Sequence, residues 1–485
     1  MIFMLFSTAT TTLLGAIRTL VLARFLSPTE YGLFNVINMI LNYANYADFG
    51  TNAGVMYRSS VLLGEGKVTE SLDLRKSMLF FTMVLSVGLS AILFTSLVLP
   101  DYMVGSYATV LFFAGIAIPI FLLQNYFHVE ARVRDNFRLL GMATVLGALA
   151  SLIFTMLVVT FGASTRHVDA MVITGLAGAA LSVMLLAGNL RMSVVRELDW
   201  GQIWRLMRLG MPLTVIPIAY VLFQSVDRWV IVNAVPSAVF GYYAFGTTIG
   251  TMLSMLPNTL AIVLSTRLIR RFGRSQDPRD SSVMVLSSLW VSAYSMAFIA
   301  GGFVLTLPYL LVYVFPQFLP GADVITILVV ANCLLFSIPV TSNFLLASEK
   351  KGLLLATLCG AILVEGMLVF VAQRAGGIEG ASYAVLCCDT FLSIFLVGVG
   401  CSLLDGKFNW HIRRMVGLFL PFVVCIASAL LVQNSHMTGQ FHIDAFPFMK
   451  SFALYLIFGG ILSVIAAWVG GVTNDVPMHW PARSA

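Results

Sequence analysis

The chain has 485 residues, 59% of them hydrophobic and 10% charged, with a mean hydropathy of +0.93. Soluble domains carry about 25% charged residues, so a soluble enzyme or binding module is excluded and a polytopic membrane protein is indicated. The net charge of +6 then concerns where cations lie about a bilayer, and nucleic acid is not an expected partner.

Met1 begins almost inside the first apolar segment. No basic leader or small-residue cleavage site precedes it, so that segment is expected to be retained. Apolar stretches long enough to cross a bilayer lie at 2–23, 31–57, 77–99, 106–128, 139–161 and 168–190. After a polar connector come 211–234, 239–266, 283–315, 323–347, 352–373 and 379–403, then 415–433 and 449–470. The fold class expected is all-α, with 14 transmembrane helices. They group as an N-lobe (1–190), a connector (191–210), a C-lobe (211–403) and two additional C-terminal spans with a tail (404–485).

With a cytoplasmic N-terminus, 22 of the 28 Lys and Arg fall on the cytoplasmic side. Arg24, Arg166, Arg374 and Lys450 fall opposite, and Arg18 and Arg228 lie within spans. This positive-inside bias predicts a multi-pass protein of the cytoplasmic (inner) membrane with both termini cytoplasmic. The connector carries Trp200, Trp204 and several arginines, which suits an interfacial helix or a basic loop. The cysteines show no CxxC spacing and fit packing in a bundle. No metal site, cofactor or P-loop is indicated, and no catalytic triad or HExxH, so the chain is not expected to be an enzyme.

The second span carries Asn35, Asn38, Asn42, Asn45 and Asn52 at steps of three, four or seven. On a helix these share one face, with Asp48 at its edge. Such a stripe should avoid lipid, where nothing satisfies it, and face a wet cavity or another helix. The second half repeats the pattern. With Gly32 placed over Gly241, Asn38 aligns with Thr247, Asn42 with Thr251, Asn45 with Ser254 and Phe49 with Asn258. Arg18 aligns with Asp227, beside Arg228. Six spans separate the copies, which predicts parallel halves related by an axis along the membrane normal.

Arg18, Asp48, Asp227, Arg228, Glu365 and Asp389 are the ionisable residues expected at membrane depth. Each costs about 2.5–3.5 kcal/mol at a helix centre on insertion scales, so each should be paired, wet or functional. A static ion pair and a cationic site for an anionic group both fit Arg18 and Arg228. Asp48 and Asp227 are candidates for ion coupling. Prolines within spans, Pro119, Pro212, Pro217, Pro257 and Pro339, suit either gating or fixed kinks.

The runs ARFLSPTEYGLFNVI and DFGTNAGVMYR, then RLMRLGMPLTVIP, FQSVDRWVI and VFGYYAFGTTIG, resemble the O-antigen-type polysaccharide-biosynthesis flippases. These belong to the multidrug/oligosaccharidyl-lipid/polysaccharide exporter superfamily. The resemblance implies two six-helix lobes in a V shape around a cationic cavity. It further implies that a polyprenyl-diphosphate-linked oligosaccharide, a repeat unit for O-antigen or other surface polysaccharide, is moved by alternating access. On that resemblance Arg18 and Arg228, and more weakly Arg24, would face the diphosphate. Asn38, Asn42, Asn45, Thr247, Thr251, Ser254 and Asn258 would face sugar hydroxyls, which need mixed donors and acceptors. Implied partners are the lipid-linked glycan, membrane lipids and polysaccharide polymerase or export machinery, with the chain a monomer. A proton- or sodium-coupled exporter of small molecules is the alternative. A membrane glycosyltransferase is disfavoured by the short outer loops.

Overall fold

The computed structural model of the chain describes residues 2–96, 108–161, 167–190, 199–255, 257–258, 282–405, 412–436 and 455. Residues 191–198 of the expected connector, 259–266 of the eighth span and the fourteenth span apart from Tyr455 lie outside this set. Two compact units result, Met1–Ser225 and Val226–Ala485. Among the described residues the regular structure is helical throughout. Nine helical stretches among them are long and apolar enough to cross a membrane. This is an all-helical, multi-pass membrane protein.

The first unit contains α1 (Ile2–Phe25), α2 (Pro28–Ala44), α3 (Thr51–Gly64) and α4 (Val68–Ser96). It continues with α5 (Ala108–Val133), α6 (Phe137–Phe161), α7 (His167–Leu190) and α8 (Trp200–Phe223). Local chemistry sets the α1–α2 corner. Ser27 caps α2, the Ser27 backbone N–H donates to Glu30 Oε2 at 2.9 Å, and Pro28 occupies the first turn. This capping box satisfies N–H groups that a helix start leaves free.

The expected second span, 31–57, is broken. Helix α2 stops at Ala44, and α3 begins at Thr51. Between them Phe49 and Gly50 have φ of 49° and 82°, the left-handed region that favours glycine. Asp48 stabilises the break. Its Oδ2 accepts from the Asn52 backbone N–H at 2.8 Å and its Oδ1 from that of Gly50 at 3.4 Å. An Asx carboxylate bonding the backbone just ahead competes with continued helix.

Helix α8 changes the reading of the connector. Asp199 Oδ1 accepts from the Gly201 and Gln202 backbone N–H groups at 2.9 and 3.2 Å, and the helix runs unbroken through Pro212 and Pro217 to Phe223. Residues 200–210 and 211–223 are therefore one helix, and it packs on α3 inside the first unit. Ile203, Leu206 and Gly210 are buried, while Trp200, Trp204, Arg205 and Arg208 are exposed. The buried side joins a core that includes Val55, Leu62, Met78, Tyr126 and Leu190.

The second unit contains α9 (Val226–Val232), α10 (Ser237–Leu253) and α11 (Ser282–Tyr313), then a 3₁₀ turn at Pro316–Gly321. Then come α12 (Ala322–Leu334), α13 (Ser337–Ala347), α14 (Lys351–Asp405) and α15 (Ile412–His436). The expected seventh span is interrupted at 224–225, ahead of the short α9. Helix α14 has non-helical backbone at Gly376 and at Gly377, where φ is 60°. Its two arms, 351–375 and 378–405, correspond to the expected eleventh and twelfth spans.

Candidate functional site

The first unit holds an open cavity of about 280 Å³. Its wall includes Arg18 of α1, Asn38 of α2, Phe121, Gln124 and His128 of α5, and Ser151 of α6. Phe121, Gln124 and His128 are spaced i, i+3 and i+7, so one side of α5 presents all three.

Arg18 is held by residues far away in sequence. Its Nε donates to Thr155 Oγ1 at 3.1 Å, and its Nη2 donates to the Met171 carbonyl at 2.8 Å and Thr174 Oγ1 at 3.4 Å. The two threonine hydroxyls lie 3.0 Å apart. Gly175 makes this approach possible, because a Cβ there would lie 2.9 Å from Arg18 Nη2. The guanidinium thus joins α1, α6 and α7, and only its Nη1 group is left outside these bonds. Arg18→Ala is expected to destabilise the protein by about 1–3 kcal/mol, the range for a lost charged hydrogen-bond cluster. Arg18→Lys should recover part of this, since one ammonium cannot reproduce the fork. Thermal unfolding of the purified variants checks both.

The structure separates the asparagine stripe. Asn35 is buried, Asn38 lines the cavity and Asn42 is exposed. Asn45 Oδ1 accepts from Asn125 Nδ2 at 3.0 Å. Asp48 and Asn52 fall at and beyond the break, and Asn52 Oδ1 is buried with no hydrogen-bond partner among the described residues. Arg24 is exposed near the end of α1. Gln124 and His128, which the sequence reading did not single out, were detectable as two polar residues four apart inside an apolar span.

In the second unit Thr247 is buried, Thr251 and Asn258 are exposed, and Ser254 is half-buried. Thr247, Thr251 and Ser254 donate back to carbonyls of α10, and Ser254 also reaches the Asn332 carbonyl at 3.4 Å. Asp227 is buried on α9. Its Oδ2 accepts from Tyr243 Oη–H at 2.7 Å, and its Oδ1 lies 3.9 Å from Arg228 Nε. Glu365 and Asp389, on the two arms of α14, are 2% and 3% exposed. Glu365 is within electrostatic reach of Asp389, Asp227 and Arg228. Three buried carboxylates therefore gather near one arginine, a costly arrangement unless protons, ions or water compensate it.

Long apolar helices around a polar, arginine-bearing cavity define a membrane protein of the transporter class. The chain belongs to the polysaccharide biosynthesis protein family, which matches residues 21–281. No curated protein matches the sequence. Among solved structures, the inward-closed lipid II flippase MurJ is similar at a TM-score of 0.67 and 12% identity, covering 96% of this chain and 99% of that one. An inward-facing multidrug resistance MATE transporter of the MOP superfamily is similar at 0.68 and 12%, covering 82% and 95%. The MATE transporter VcmN of Vibrio cholerae is similar at 0.55 and 13%, covering 84% and 96%.

Proposed function

We propose that the protein is a flippase that moves a polyprenyl-diphosphate-linked oligosaccharide from the cytoplasmic to the outer leaflet of the cytoplasmic membrane. Both termini lie on the cytoplasmic side, as the distribution of Lys and Arg predicts. The observation that carries the reading is the polar, arginine-bearing cavity inside the first unit of a polysaccharide-biosynthesis family member. The likeness to a lipid II flippase supports it at the level of fold. Arg24 and Arg228 are the arginines proposed to draw the diphosphate. Arg18 has three N–H bonds engaged within its own bundle and contributes mainly its charge. Asn42, Thr251 and Asn258, exposed in their helices, remain proposed contacts for the polar headgroup.

The test is reconstitution. Liposomes holding the purified protein and a fluorescent polyprenyl-diphosphate-linked sugar should expose the label to a membrane-impermeant quencher faster than protein-free liposomes. Arg24→Ala and Arg228→Ala should each slow this. Translocation no faster than in protein-free liposomes would defeat the proposal.

The buried Asp227, Glu365 and Asp389 favour a second element, coupling to a cation gradient, with Asp48 a weaker candidate because its carboxylate already holds the α2–α3 break. Asp227→Asn is expected to abolish the response of transport to an imposed proton or sodium gradient. Transport that ignores both gradients in the wild-type protein would remove these carboxylates from any coupling role.

A further inference from the structure

We infer that the cavity of the first unit seats one sugar ring of the carried glycan. The inference rests on the flippase reading and sharpens it.

Size is the first argument. Pockets for drug-sized ligands run from about 300 to 1,000 Å³, and this cavity of about 280 Å³ falls just below that range. It suits a single ring, with the rest of the glycan and the diphosphate lying outside its mouth.

Hydrogen-bond supply is the second. A diphosphate offers only acceptors and requires donors. The wall has already committed many of its donors to its own helices. Thr11 Oγ1 donates to the Ser7 carbonyl at 2.8 Å, Thr144 Oγ1 to the Gly141 carbonyl at 3.0 Å and Asn38 Nδ2 to the Phe34 carbonyl at 3.1 Å. The hydroxyl lone pairs and the Asn38 amide oxygen remain as acceptors. Sugar hydroxyls donate as well as accept, so they can use both these acceptors and the N–H groups of Arg18 Nη1, where a diphosphate can use only the N–H groups.

The third argument is the face of α5. His128 Nε2 is buried without a hydrogen-bond partner among the described residues, and native interiors rarely leave such a group unpaired. Gln124, one turn away, supplies both an amide donor and an acceptor. Phe121 adds a ring whose face is electron-rich and suits the C–H side of a pyranose. Phe121, Gln124 and His128 thus form a candidate recognition face for a ring with one apolar and several hydroxylated edges.

The experiment compares binding of two kinds of probe to the purified protein in lipid nanodiscs. One is bare undecaprenyl diphosphate. The other is a panel of undecaprenyl diphosphates bearing one glucose, galactose or N-acetylglucosamine. At least one sugar-bearing lipid should bind about tenfold more tightly than the bare lipid. His128→Ala and Gln124→Met should each remove most of that advantage, with affinity for the bare lipid within about twofold of wild type. Gln124→Met keeps the side-chain length and removes only the amide, so it reports even if His128→Ala fails to fold. A wild type with no preference for any sugar in the panel, or variants that keep the preference, would overturn the cavity assignment alone. A wild type that binds neither kind of lipid would overturn the flippase reading itself.

Discussion

Glu130→Ala is expected to destabilise the protein by about 3–5 kcal/mol, the cost of leaving a buried charge without its partner. Glu130 Oε1 accepts from Arg75 Nη1 and from Arg134 Nε, each at 2.5 Å. The Glu130 side chain is 1% exposed and that of Arg75 is 6% exposed. The arginines are themselves tied in. Arg75 Nε donates to the Ser71 carbonyl at 3.1 Å, the Arg75 carbonyl accepts from Tyr126 Oη–H at 2.8 Å, and Arg134 Nη1 donates to the Leu190 carbonyl at 3.0 Å. One carboxylate thereby joins α4, α5 and the end of α7. Removing it strands two guanidinium groups beside the core of Leu74, Tyr126, Ala131 and Leu190. Arg134→Met should cost less, because the Arg75–Glu130 pair survives and Arg134 is 32% exposed. Chemical unfolding of the purified variants gives the ranking. A Glu130→Ala protein as stable as wild type would mean that water reaches the arginines and the network carries no weight.

The second large effect is steric. A Cβ on Gly210 would lie 1.9 Å from the Gly50 carbonyl oxygen and 2.7 Å from the Gly54 nitrogen. One on Gly54 would lie 2.3 Å from the Leu206 carbonyl oxygen. These contacts are backbone to backbone, so no side chain can swing away. Small residues let membrane helices approach this closely, and α3 and α8 cross through the three glycines. Gly210→Ala is expected to cost about 1–3 kcal/mol as an overpacking change, with Gly210→Leu costing more. Gly15→Ala is the control. It sits within α1 with nothing within 4 Å of the added Cβ, and should be neutral or stabilising by up to about 1 kcal/mol through helix propensity. Thermal unfolding of the three variants decides the matter. Equal midpoints for Gly210→Ala and Gly15→Ala would show that the crossing is loose.

The sequence alone determined the class and most spans, because these depend on local features. A run of apolar residues states its own length against a bilayer. Gly376-Gly377 likewise marks the break between two spans in the residues themselves. The family was also legible, since its matching region, 21–281, contains the quoted runs. Periodicity was a weaker guide. The asparagine stripe assumed one uninterrupted helix, and Asp48 with Gly50 ended that helix at a point where hydropathy gave no sign of a break.

What only the tertiary structure decided is which polar groups meet. Arg18 finds Thr155, Met171 and Thr174, more than a hundred residues away. Glu130 sits four residues from Arg134, a pairing open to a helical reading, but its deeper partner Arg75 lies on another helix. Gly210 needs to be glycine because of Gly50 and Gly54, about 160 residues earlier. Phe121, Gln124 and His128 look like ordinary members of an apolar span until the wall opposite them is known. Hydropathy and helical period describe one helix at a time. Hydrogen-bond supply, charge pairing and cavity volume belong to several helices at once, and the packing of the bundle sets them.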